Sequence, residues 1–265
     1  MQETPAPTPI TNPTPKPRSL TWLWTSLIIL GAVIVLAVAA FLALRIVADN
    51  AANDYKRSLA SYETSLSKSF NGSTDGTTLE TAIDGVQPPI IASVPMPAAS
   101  SDYQQAKKQS ETVASTVTAL KQSVSDYATL SGFMKNYLDL ESQEQALVSK
   151  ITLNSAGITN IESIQAIAVK KHSLVSSTNV PNVSVSVMDD LNQALNDKTD
   201  ALTQLLVAAR AKNYSGFNTA TTSLNTASSK EEAALGTLDA QTSSLQDSLN
   251  QNVAVFNKLV AKVVQ

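Results

Sequence analysis

The sequence predicts an all-α protein: a single N-terminal transmembrane helix followed by an elongated antiparallel, coiled-coil-like helical bundle. Three observations carry this. Residues 20–44, LTWLWTSLIILGAVIVLAVAAFLAL, hold no charge. Only Pro181 and four glycines interrupt residues 98–265. Over that region, and over 48–66, apolar or small residues recur in alternating steps of three and four, the seam of helices that pack side by side.

The apolar run comes first. Its 25 residues would make a helix of roughly 38 Å, against a bilayer hydrocarbon core of about 30 Å. It is apolar all round, whereas a core helix of a soluble domain keeps a polar face. Trp22 and Trp24 stand at its start, where indole rings favour the headgroup boundary. Arg45 closes it, with a stem long enough to reach back to the interface. These three residues are the expected membrane anchor, and the lipid bilayer is the expected partner of residues 19–45.

Cleavage as a signal peptide is the rival reading. Ala37-Val38-Ala39 and Val38-Ala39-Ala40 offer the small residues a signal peptidase reads. A secretory apolar core, however, runs to about 7–15 residues, and this run continues past both sites. A retained anchor is therefore expected. A type IV pilin-like leader is excluded, because no glycine-terminated basic leader and no early acidic residue are present.

Lys16 and Arg18 precede the span while Arg45, Lys56 and Arg57 follow it, so the positive-inside count does not orient it. Composition does. From Ile46 onward there are 16 Lys plus Arg and 21 Asp plus Glu, 37 charged residues in 220, against 50 Ser plus Thr. Cytosolic coiled coils carry denser charge on their exposed faces. The expectation is a single-pass cell-membrane protein with its N-terminus inside and its C-terminal domain extracytoplasmic. The chain has no cysteine, which excludes disulfides, thiolate metal sites and a Cys nucleophile. It has no basic stripe either, so nucleic acid is not an expected partner.

The expected organisation follows from these features. Residues 1–18, with six prolines, read as a disordered cytoplasmic tail with polyproline II character. After the span at 19–45, residues 46–70 continue the same helix, with Ala48, Ala52, Tyr55, Leu59, Tyr62 and Leu66 on one seam. Tyr55, Leu59, Tyr62 and Leu66 are candidates for self-association. NGSTDG ends that helix, and 71–100 reads as a Pro/Gly-containing linker in which Ile90, Ile91 and Val94 pack along the bundle.

The bundle proper occupies 101–265. Ser101 is the expected N-cap, with Asp102 in the first turn. A helix over about 102–153 follows, with a phase shift and a possible kink at Gly132. Gly157 separates it from a helix over about 159–176 with Ile161, Ile164, Ala168 and Val175 facing in. STNVPNVSVSV (177–187) alternates like a strand but has no partner strand, so it is a connector. Helices over about 187–213 and 217–263 complete the set, and the longest, at roughly 70–80 Å, must lie side by side.

No constellation forecasts catalysis. His172, in KKHS, is the only histidine and reads as a surface residue; without cysteine it cannot build a zinc site. Asp189-Asp190 and Glu231-Glu232 read as helix-start carboxylates favoured by the macrodipole. Asp197 and Asp200 share a face in the company of Lys198 and solvent. Tyr62, Tyr103, Tyr127 and Tyr137 read as packing residues. Gly31, Ala32, Ala39 and Ala43 give a weak signal for helix association in the span. No phosphate-binding, dinucleotide-binding or calcium loop occurs, and no cofactor is expected.

The expected role is accordingly non-enzymatic: a membrane-anchored helical bundle that tethers, spaces or binds another envelope component, through its seams or as a homo-oligomer. The alternative is a ligand-binding or sensory ectodomain. Its 18-residue tail would leave output to a separate signalling partner, and a pocket between helices would favour it.

Overall fold

A computed structural model of the chain describes residues 21–72, 76–95, 100–152 and 154–264, with side chains from Leu30 onward apart from Asn71 and Gly72. The N-terminal tail at 1–18, and the side chains of Trp22 and Trp24, lie outside the described residues. Among those residues the architecture is all-α. The helices are α1 (Thr21–Gly72), α2 (Gly76–Asp84), α3 (Ser101–Val148), α4 (Ser155–Ser177), α5 (Val185–Arg210) and α6 (Tyr214–Val264).

Two helices, α3 and α6, run the length of the bundle in opposite directions. Ser123 of α3 meets Asn252 of α6, and Tyr137 of α3 meets Glu231. At about 72 and 76 Å they set the long dimension. In the half nearer Ala48, α1 fills the trough between them. Ala52, Tyr55, Leu59, Tyr62 and Leu66 are buried there with Leu120 and Phe256, and the Tyr62 and Phe256 rings meet edge to face at 5.9 Å. In the other half, α4 and α5 join α3 and α6 in a four-helix arrangement.

This exchange of partners explains the phase shift near Gly132. Tyr127 belongs to the cluster that packs α1, and Leu130 to the one that packs α4 and α5. The helix itself runs unbroken through Gly132. One mid-helix glycine costs only about 1 kcal/mol, too little to interrupt packing on both sides.

The α1 seam is covered within the chain. Tyr55, Leu59, Tyr62 and Leu66 face α3 and α6 rather than solvent, so the core already begins at Ala48, earlier than a bundle starting at 101. On the other side of Ala48, every described side chain from Leu30 to Val47 is exposed. The exposed apolar surface thus extends two residues past Arg45, to Ile46 and Val47.

The linker is more ordered than its prolines and glycines imply. Helix α2 folds back along α3, with Leu79 and Ile83 buried and Lys121 paired to Asp84 at 3.1 Å. Gly76 permits the close approach of α2 to α3, since a Cβ there would lie 2.5 Å from the Ala128 Cα. The chain then returns towards Tyr103, whose hydroxyl donates to the Ala92 carbonyl and accepts from the Val94 amide. Val94 is buried and Ile91 partly so, but Ile90 is 89% exposed and does not pack.

Smaller corrections follow from capping. The N-cap of α3 is Ser100 rather than Ser101, its Oγ accepting from the Tyr103 amide. Helix α3 ends at Val148, five residues early. Gly157 lies inside the first turn of α4, where Asn154 Oδ1 accepts from its amide at 2.8 Å; a Cβ would fall 1.9 Å from the Thr152 carbonyl oxygen. The 177–187 connector forms a 3-10 turn at Asn182–Ser184 and then enters α5.

Candidate functional site

The distal half of the bundle contains a layer of charge. Tyr137, Glu141 and Glu144 lie on one face of α3 at spacings of four and three. Lys171 of α4, Lys198 of α5 and Glu231 of α6 converge on them. Below this layer lie Val175, Leu195 and Ala234 in one apolar cluster, and above it Ala168, Ala201 and Leu224 in another. Lys171 is 0% exposed, and Lys198, Glu144 and Glu231 are buried almost as deeply.

The pairing is dense. Lys171 Nζ donates to Glu141, to Glu144 at 2.5 Å and to Glu231 at 2.7 Å. Three ammonium donors thus meet three carboxylates. Lys198 Nζ bridges Glu144 and Glu231. The Tyr137 hydroxyl donates to Glu231 Oε1 at 2.5 Å, and its ring lies 5.0 Å from Lys171 Nζ. Only Glu141 reaches solvent, its side chain 24% exposed.

Electrostatics hold Glu231 and Lys171 in their charged forms. Burial works against the Glu231 carboxylate, but the ammonium groups of Lys198 and Lys171 and their hydrogen bonds outweigh it and keep its carboxyl below the usual range. Burial likewise disfavours the Lys171 ammonium, and the charges of Glu231 and Glu144 overcome it, raising that lysine above its ordinary value. The Tyr137 hydroxyl is pushed up by burial and then by the Glu231 charge. Glu231 and Lys171 are therefore both held away from titration near neutral pH, poorly placed for proton transfer.

The Glu141, Glu144 and Glu231 carboxylates lie close enough together to hold a cation, their ligand atoms within 4.8 Å of one another. Lysine ammoniums already occupy that position. A divalent ion would have to displace one of them.

Beside the layer, a groove of about 790 Å³ opens between α3 and α6. Met134, Leu138 and Val148 line it from α3, Leu235 and Gly236 from α6, and Lys198 with Glu144 forms its floor.

The residues singled out in the sequence are distributed as follows. Glu231 lies 17 residues into α6, far from the macrodipole of its N-terminus, and is a core residue. Lys198 turns inward, so Asp197 pairs instead with Lys230 at 2.7 Å. Asp189 and Asp190 are exposed in the early turns of α5. His172 is partly exposed beside Asn196, with 2.8 Å between its Nε2 and Oδ1. Tyr62, Tyr103, Tyr127 and Tyr137 are buried, as their seam positions imply. The sequence reading missed Lys171, Lys198 and Glu231 as core residues, although Lys198 stands at a seam position between Leu195 and Leu202.

The chain's apolar segment is long and apolar enough to cross a membrane by length and composition. No family model, curated protein or solved structure matches the chain in the comparisons made.

Proposed function

We propose that this chain is a single-pass membrane-anchored stalk, without catalytic chemistry, that tethers, spaces or binds another component of the cell envelope. Its N-terminus lies inside and its bundle on the extracytoplasmic side. The observation that carries this reading is the junction at Val47 and Ala48. On one unbroken helix, the side chains from Leu30 to Val47 are exposed on every face and apolar but for Arg45. From Ala48 onward one seam, Ala48, Ala52, Tyr55, Leu59, Tyr62 and Leu66, is buried in the bundle core. Such an exposed apolar surface needs a covering, and lipid supplies one for a helix whose backbone is internally satisfied. A helix shared by anchor and bundle would hold the bundle at a set attitude, a property suited to spacing.

The neutral coat supports the outward placement. Exposed threonines such as Thr64, Thr112 and Thr226 return their hydroxyls to the carbonyl four residues earlier, which keeps a low-charge helix surface satisfied without a partner. Washing membranes with alkaline carbonate tests the anchor. The full chain should stay in the pellet, and release into the supernatant would contradict the reading. The groove between α3 and α6 favours a second reading, a ligand-binding or sensory ectodomain, because its volume falls in the range of ligand sites.

A further inference from the structure

The groove is the open continuation of the trough that α1 fills. On α3, Ala106, Val113, Leu120 and Tyr127 recur every seven residues and pack in the cluster containing α1. Three more positions at the same interval, Met134, Glu141 and Val148, line the groove. On α6, Val263, Phe256 and Leu249 pack with α1, and the same spacing carried on reaches Leu235 and Ser228, which line the opposite wall. Helix α1 ends at Gly72 and α2 turns back, so α1 does not enter this part of the trough.

Length and charge describe the missing occupant. The α3 wall runs from Met134 to Ser149 and the α6 wall from Asn225 to Asp239, each roughly 21–23 Å. That is about four turns of helix. The ionisable lining consists of Glu141, Glu144, Glu231, Glu232 and Asp239 against Lys198 alone. Even with Lys171 counted behind the floor, carboxylates outnumber ammoniums five to two. Leu138 and Val148, half exposed on the rim, provide apolar contact.

We infer that the distal α3/α6 groove is a docking site for a helix of a partner protein, lying along the line of α1 and carrying lysine or arginine beside an apolar stripe. The inference rests on the partner-binding form of the proposed role. Helix-in-groove recognition seats an apolar stripe against apolar side chains of the groove. Met134, Leu138 and Val148 on one wall and Leu235 on the other supply them here, and α1 shows that the same trough accepts a helix. A basic side chain over Glu141 would meet the one cluster carboxylate that reaches solvent, forming a charge-assisted bond.

The test uses the full chain in lipid nanodiscs, with Asn225→Cys as the sole cysteine and an environment-sensitive fluorophore attached there. Three stapled helices of about 16 residues share one leucine stripe and differ only in lysine, glutamine or glutamate flanks. The lysine helix should bind saturably at one per chain, and Glu141→Gln with Glu232→Gln should weaken it by roughly tenfold or more. Equal binding of the glutamate helix would leave helix docking intact and overturn the basic partner. Spermidine binding more tightly than any helix would overturn the helical occupant while leaving a ligand site. Binding by none would overturn the docking site, and the carbonate wash would still decide whether the chain is an anchored stalk. A second copy as occupant would show as concentration-dependent dimers abolished by the same two substitutions, and would also overturn the separate partner.

Discussion

Tyr137 and Glu231, 94 positions apart, meet through a 2.5 Å hydrogen bond in the middle of the bundle. The bond joins the two long helices at the layer where Lys171 and Lys198 enter from the other two. Tyr137→Phe keeps the ring beside Lys171 and deletes only the donor. It should lower the unfolding free energy by about 1.5–3 kcal/mol, the range for hydrogen bonds to charged groups. Urea denaturation of both proteins checks this, and an unchanged midpoint would contradict the geometry.

Lys198→Met should be more damaging. It leaves Glu144 and Glu231 each short of a partner in a buried layer, and removing one member of such a network costs about 3–5 kcal/mol. Replacing Lys171, Lys198, Glu144 and Glu231 together with apolar residues of similar size should recover most of that loss, since no charge then stays buried alone. If the fourfold variant were less stable than Lys198→Met, packing shape rather than charge balance would be controlling this layer.

Stability should also respond to pH in a defined direction. Glu231 is held below its ordinary 4.5, so its contribution is present above that value and is lost as pH falls through the folded pKa. Lys171 is held above its ordinary 10.5, so its contribution is complete below 10.5 and is lost as pH rises through its folded pKa. Between those limits the contributions of Glu231 and Lys171 should be constant. The difference in unfolding free energy between the native chain and Glu231→Gln should therefore hold near neutral pH and shrink below 4.5. A difference that does not shrink as the pH falls below 4.5 would contradict this.

Leu59→Asp with Leu66→Asp should separate α1 from the bundle. Both leucines are buried against α3 and α6, and each introduced carboxylate would be left unpaired in an apolar core. The expected outcome is lower thermal stability and faster proteolysis near residue 70. A change in sedimentation alone, with stability intact, would show instead that the seam serves self-association.

The broad outline was legible because it rests on local periodicity. The seam from Ala48 to Leu66, the inward residues of α4 and the long stripes of α3 and α6 all declare themselves by three- and four-residue steps. The charge layer did not. Lys171, Lys198 and Glu231 occupy core positions, but a charged residue is ordinarily exposed unless paired. Their partners stand 27 to 94 residues away, beyond any local pattern. The gap between Leu195 and Leu202 marked the position of Lys198 without identifying its partners. Helix α2 was missed for another reason. Its nine residues gain their stability from docking Leu79 and Ile83 on α3, and isolated helices that short are marginal. Ile90 misled in the opposite sense, an apolar residue left exposed on an extended segment.

The central claim, a bundle held outside the membrane by α1, is tested most directly by the accessibility of a single thiol. Asn179→Cys places one on the exposed connector between α4 and α5, in a chain that has no other cysteine. Intact cells making the full chain are treated with a membrane-impermeant maleimide, and the membrane fraction is then collected. The expected result is labelling before lysis, on protein that pellets with membranes. Labelling only after lysis would place the bundle in the cytoplasm and contradict the account.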